Sequence, residues 1–161
     1  MTDYPMTQAI RVLKEKQIPF VPHEYPYEER GGTKHSSECL KVSEHIVIKT
    51  LVMETDDRRP LIILMHGDCE VSTKQLARDM GVKTVRPCDP ATVQKLTGYQ
   101  VGGTSPFGTR KDLPIYAEAS ILALDKIVIN GGKRGFLVEI NPADLRKIFD
   151  VKEVQAAIVP E

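Results

Sequence analysis

The chain has 161 residues, 41% apolar and 27% charged, which predicts one folded domain over 1–161 with a sizeable core and excludes a disordered chain. Lys plus Arg and Asp plus Glu balance at 22 each, so the basic excess of a protein that grips nucleic acid unaided is missing; any such contact must be local or assisted by a partner. No apolar run approaches the roughly 18 residues that span a bilayer, the opening MTDYPMTQAIRVLKEKQ has no apolar signal region, and Cys39, Cys69 and Cys88 form no CxxC pair, so a reducing cytoplasm is expected.

Thr7 is placed to cap a first helix with Ile10, Val12 and Leu13 on its apolar side, and Pro19 ends it. Residues 20–25 read as a strand, 26–34 as a loop turning at Gly31-Gly32, and 36–40 as a short helix. Residues 46–53 are a strong strand broken in its apolar character at Lys49 and Thr50, and DDRRP at 56–60 turns into a strand over 61–65. Ser72 caps a helix over 73–80 that Gly81 stops, followed by a strand over 82–85. Asp89-Pro90 opens another helix. Residues 98–108, GYQVGGTSPFG, are the most glycine-rich stretch. Strands over 115–117 and 126–129 flank a short helix, and GGKRG at 131–135 is read as a tight turn into a strand over 136–140. Asn141-Pro142 caps a helix ending near 149, and 154–159 is a last strand. Irregular alternation with hairpin neighbours predicts an α+β fold, a mixed sheet with helices packed around it.

Lys49 is the first anomaly, because an ammonium within an apolar strand is costly to bury without a partner. It is either a solvent-side residue whose stem carries its charge to water or a cation at a cleft mouth, placed to hold a phosphate or polarise a carbonyl. The loop 98–108 is the second. Gly102, Gly103 and Gly108 permit backbone geometry closed to other residues and Pro106 stiffens it, so it is either a plain connection or a cradle aiming N–H groups at an oxygen. It contains no P-loop signature, and Ser105 sits in no G-x-S-x-G elbow, so a serine nucleophile is rejected. GGKRG is either a solvated turn or, with Arg110 and Lys111, a local cationic rim. His23, His35, His45 and His66 lack metal-ligand spacing, and HGDCE at 66–70 reads as a strand end leading to the capped helix; neither a metal nor a cofactor is expected.

Lys49-Thr50-Leu51 after an apolar strand, Gly67-Asp68 before KQLARDMG, GYQVGGTSPFG, Lys111 with Leu113-Pro114, and GGKRG together resemble the YbaK family of aminoacyl-tRNA deacylases. That family includes the editing domain inserted in bacterial prolyl-tRNA synthetases. Order and spacing match over nearly the whole chain. The resemblance implies a strongly curved mixed sheet surrounded by helices and hydrolysis of mischarged aminoacyl-tRNA in trans, chiefly Cys-tRNA(Pro). The alternatives are a deacylase of the same fold for Ala- or Ser-type mischarged tRNA, and a module that binds tRNA or a synthetase without cutting.

By the same resemblance, Lys49 is the essential lysine, serving the terminal adenosine or phosphate and supplying electrostatic help. The backbone of Gly102, Gly103 and Thr104 holds the aminoacyl carbonyl, within a G-x-x-x-P loop completed by Ser105 and Pro106. Tyr25 and Thr50 line the amino-acid pocket, Asn130 lies beside it, and Lys111, Lys133 and Arg134 contact phosphates. Cysteine-specific members carry an aromatic residue, a serine and an acid where this chain has Gly32, Asn130 and Leu137. In those members the substrate's own thiol is the attacking group and a cyclic thioester leaves; others use water. The implied partners are mischarged tRNA, tRNA(Pro) foremost, and prolyl-tRNA synthetase, with neither membrane nor DNA.

Overall fold

The computed structural model describes residues 4–160. In chain order the elements are α1 (Gln8–Glu15), β1 (Val21–Glu24), α2 (Gly32–Leu40), β2 (Val47–Thr55), β3 (Pro60–His66), β4 (Glu70–Val71), α3 (Thr73–Met80), β5 (Val85–Pro87), α4 (Pro90–Thr97), β6 (Ile115–Glu118), β7 (Ile127–Lys133), β8 (Phe136–Ile140), α5 (Leu145–Ile148), β9 (Val151–Val154) and β10 (Ala157–Ile158). Among the described residues no helix is long and apolar enough to cross a membrane.

The helix starts follow the side-chain oxygens expected to cap them. Thr7 accepts from the Ile10 N–H, Ser72 from Gln75 and Asp89 from Thr92. Gly81 ends α3 in the left-handed region, φ +74°, and the Val82 N–H bonds back to the Ala77 carbonyl. That return bond keeps Val82 out of a strand, so β5 begins at Val85 rather than at 82, where it pairs with the end of β2.

Three other boundaries differ from expectation. The segment read as a loop over 26–34 already enters α2 at Gly32. No side chain caps this helix; instead Thr33 donates to Glu44 and to the Gly67 carbonyl, fixing the first turn by tertiary contact. GGKRG is only partly a turn. β7 runs on through Gly131 and Gly132 to Lys133, with a register shift where the Asn130 side chain accepts the N–H groups of Gly132 and Lys133. The last strand is two short ones, because the acids Asp79 and Glu118 take the Gln155 and Ala156 N–H groups between β9 and β10.

The main sheet runs β1-β8-β7-β2-β3-β6-β9, with β5 added to β2. It is mixed: β2–β7, β3–β6 and β6–β9 are parallel and the other pairs antiparallel. β4 and β10 form a separate small ribbon. α1 packs its buried Ala9, Ile10 and Leu13 into one core with Ile48, Ile62, Ile129 and Phe107. α3 packs Leu76 and Ala77 into a second with Met53, Leu61 and Ile63. Helices thus cover apolar faces of the sheet, as predicted.

Candidate functional site

β2 is the strand on which the sheet divides. One of its edges pairs with β3 along its length. The other pairs with β7 at Val47 and Ile48 and with β5 from Met53 to Thr55. Between those two partners, residues 49–51 face no strand on that edge among the described residues. A cavity of about 690 Å³ opens there, bordered by β2, β5, β7, the start of α2 and the 98–108 loop. Divergence of neighbouring strands makes a crevice without cutting into a core, which is why such points take ligands.

Lys49 and Thr50 both border this cavity. Lys49 is half-buried, and its Nζ donates to the Cys69 carbonyl at 2.7 Å. Of the three donors on an ammonium, that leaves two for another group. Thr50 Oγ1 is buried and has no hydrogen-bond partner. An orphaned buried hydroxyl costs about 1–3 kcal/mol, which a bound polar group would recover.

The glycine-rich loop is held from both sides. At its base the buried Tyr99 hydroxyl donates to the Phe107 carbonyl at 2.6 Å, and burial pushes the Tyr99 phenol up to about 12. At its tip Asn130 Nδ2 donates to the Gly102 carbonyl at 3.2 Å, and Arg134 Nε to the Val101 carbonyl at 3.0 Å. Gly102 has φ +89°, a conformation glycine adopts freely. Gly103 is needed for close approach, since a Cβ there would lie 2.7 Å from the Arg134 backbone nitrogen. The two glycine-rich stretches, far apart in sequence, therefore meet backbone to backbone.

The structure brings Tyr25, Lys49, Thr50, Gly102, Thr104, Asn130 and Arg134 around this one cavity. Gly103, Ser105, Pro106, Lys111 and Lys133 do not border it. The Gly103 N–H bonds to the Gln100 carbonyl within the loop. Ser105 is fully buried and accepts the Phe107 N–H, and Pro106 is buried beside it; both shape the loop. Lys111 and Lys133 are exposed. The Tyr25 phenol is raised, first by burial and then by the neighbouring Tyr27.

Tyr27, Thr33, His35 and Val101 also border the cavity and were missed in the sequence. Tyr27 and Thr33 fall in the segment read as a loop; Thr33 and His35 are carried to the cavity by α2, whereas Tyr27 reaches it from the loop after β1.

His45, Asp68 and Cys69 place one potential metal-ligand atom each within 4.8 Å of one another, although the sequence spacing predicts no metal site. These groups also satisfy each other. His45 Nδ1 lies 2.9 Å from Asp68, and the Cys69 thiol donates to Asp68 at 3.5 Å. Burial opposes the charge on Asp68, but the His45 and Cys69 contacts outweigh it and hold the carboxyl below its ordinary range. Burial and then the Asp68 charge push the Cys69 thiol up to about 11.

With that geometry in view, a family model described as an aminoacyl-tRNA editing domain matches residues 31–148. The chain belongs to this family, the YbaK-type editing domains. A protein of Enterococcus faecalis named as a candidate Cys-tRNA(Pro)/Cys-tRNA(Cys) deacylase, EbsC, is 29% identical over 137 residues, covering 84% of each chain. The proline–tRNA ligase of Moorella thermoacetica is 29% identical over 163 residues, covering 96% of this chain but only 28% of the ligase. A solved structure described as a candidate trans-editing enzyme for prolyl tRNA synthetase superposes with a TM-score of 0.82 at 20% identity, covering 96% of this chain and 99% of that one. That last likeness shows the editing-domain fold. The family match includes Lys49, the loop and Asn130, whereas Tyr25 and Tyr27 precede it.

Proposed function

We propose that this editing domain hydrolyses mischarged aminoacyl-tRNA in trans, with Cys-tRNA(Pro) as its principal substrate. The carrying observation is Lys49, its ammonium held by the Cys69 carbonyl, on the open edge of β2 and bordering the same cavity as Gly102, Thr104 and Asn130. An aminoacyl ester is already activated, so a site need only position the attacking group and stabilise the oxyanion. Lys49 supplies the cation, while the backbone at Gly102 and Thr104 takes the carbonyl. Thr50 lines the aminoacyl pocket. At about 690 Å³ the cavity has room for an aminoacyl group with its ribose, and its walls are largely apolar side chains such as Val47, Met53, Val93 and Leu137.

The reading for cysteine draws on the name of the Enterococcus relative. The substrate thiol attacks the carbonyl carbon, the ester C–O bond breaks, and the ribose oxygen leaves with the thiol's proton as the cyclic thioester departs; water then opens its C–S bond to give free cysteine. Cytoplasmic action beside prolyl-tRNA synthetase follows from the same reading. A balanced surface charge gives few phosphate contacts, so a synthetase holding the same tRNA supplies the discrimination.

Deacylation of Cys-, Ala- and Ser-tRNA(Pro) tests the activity, and Cys-tRNA(Cys) with and without the synthetase tests the partner. The cysteinyl ester is expected to be cleaved fastest, with Cys-tRNA(Cys) spared only when the synthetase is present. A protein that cleaves none of the three tRNA(Pro) esters contradicts the reading. One that spares Cys-tRNA(Cys) alone contradicts the partner.

A further inference from the structure

Tyr27 stands at the mouth of the cavity with 37% of its surface exposed, a position no core packing demands. It is nonetheless fixed. The Arg134 guanidinium lies over its ring at 5.1 Å from the centroid, and Arg134 is itself anchored by its Nε bond to the Val101 carbonyl. The Tyr27 hydroxyl rests on Gly102, close enough that a Cβ there would fall 2.6 Å from it. The Tyr25 N–H bonds to the Gly135 carbonyl, which ties this strand exit to the β7–β8 turn. A planar ring and a planar cation are therefore held beside the turn that receives the ester carbonyl.

In an aminoacylated strand only the terminal ribose separates that carbonyl from the last base. If the carbonyl sits at Gly102, the base emerges at the rim where Tyr27 stands. Glu28 and Glu29 follow Tyr27 and border the same opening as Arg30 and Arg134, so these four charges balance. What singles out a base is the half-exposed aromatic ring held at the rim, a flat surface on which a base can stack. Arg134, assigned to phosphate from the sequence, also lies over the Tyr27 ring and bonds through Nε to the Val101 carbonyl.

We propose that Tyr27, backed by Arg134, is the stacking platform for the 3′-terminal base of the substrate strand. The proposal rests on the deacylase reading above. Single-stranded bases stack on aromatic side chains and guanidinium planes, each contributing about 1–3 kcal/mol. Such a platform reads the presence of a base rather than its sequence, and it fixes the ribose so that the ester meets Lys49.

The test compares the wild type, Tyr27→Ala and Tyr27→Phe on Cys-tRNA(Pro) and on the same strand with its terminal base removed. Tyr27→Ala is expected to raise KM about tenfold with kcat changed far less, and Tyr27→Phe, which keeps the ring, to restore KM to within about twofold. Base removal is expected to cost the wild type the same factor and Tyr27→Ala nothing further. Equal KM for the wild type and Tyr27→Ala, or losses that multiply, overturn the platform while leaving the deacylase reading intact. Calorimetric binding of the trinucleotide CCA and of free AMP decides the matter without hydrolysis. Binding of both, weakened about tenfold by Tyr27→Ala, supports the platform even if no ester is cleaved. CCA or AMP binding indifferent to Tyr27 overturns it.

Discussion

Lys49 Nζ donates to the carbonyl oxygen of Cys69 at 2.7 Å, across the turn between β3 and β4. The bond fixes a compact ammonium beside an open strand edge. A guanidinium in its place is planar, longer and forked, and cannot present the same charge at the same point. Lys49→Arg is expected to lower kcat/KM for Cys-tRNA(Pro) by at least about 10²-fold. Its thermal midpoint should stay within about 4 °C of wild type, since the residue is half-buried and packs no core. An active arginine variant would show that charge alone, not its placement, is what the site uses.

Gly102→Ala places a methyl group at φ +89° and within 2.6 Å of the Tyr27 hydroxyl. The left-handed backbone alone costs an alanine about 1–2 kcal/mol. Relief of that strain moves the turn, and displacement of one oxyanion donor lowers turnover by about 10²-fold. Steady-state kinetics on Cys-tRNA(Pro), with a thermal melt as control, measure both effects. Turnover within twofold of wild type would make the loop a mere connection.

His66 is buried, with Nδ1 donating to the His45 carbonyl and Nε2 2.7 Å from Ser120 Oγ, and the His45 ring is stacked on it at 3.8 Å. Burial lowers its pKa below the ordinary 6.5, a His45 backbone bond opposes this, and the His45 charge lowers it further. The unfolded chain therefore binds a proton before the folded one does. The stability from the neutral ring is complete above about pH 6.5 and is lost as pH falls through the lower folded value. Thermal midpoints are expected to fall between about pH 7.5 and about pH 5.5, and His66→Gln, which takes up no proton, to flatten that slope. An unchanged slope in the variant would place the acid sensitivity elsewhere.

Cys88 borders the cavity, yet burial and then the Glu54 charge push its thiol up to about 11. So little thiolate exists near neutral pH that the chain's own sulfur is a poor nucleophile. Cys88→Ser is expected to keep kcat within about threefold, whereas alkylating the substrate thiol stops cleavage. Rapid hydrolysis of the alkylated substrate would assign the attack to water, and a folded but dead serine variant would assign it to Cys88.

Much of this was legible in the chain itself. Ser72, Asp89, Gly81 and Thr7 announce their helix ends because a cap is a local event, settled within a few residues. Lys49 announced itself by breaking an apolar run. What the sequence could not show depends on tertiary pairing. α2 has no cap and little apolar periodicity, and its first turn is fixed by Thr33 reaching Glu44 and Gly67. Tyr27 does lie in a loop, and its place comes from Arg134 and Gly102, residues distant in sequence. Gly131 and Gly132 were read as turn residues, whereas the Asn130 side chain lets the strand continue through them. Two readings of Lys49, solvent side or cleft mouth, were open until the gap between β7 and β5 placed it at the cavity.

Release of free amino acid from Cys-tRNA(Pro), followed in parallel for the wild type and Lys49→Ala with a thermal melt of each, measures the central claim most directly. The wild type is expected to deacylate the tRNA well above its spontaneous rate, and Lys49→Ala to melt as wild type does while deacylating at no more than that spontaneous rate. A wild type indistinguishable from buffer, or a folded alanine variant as fast as wild type, would contradict the account.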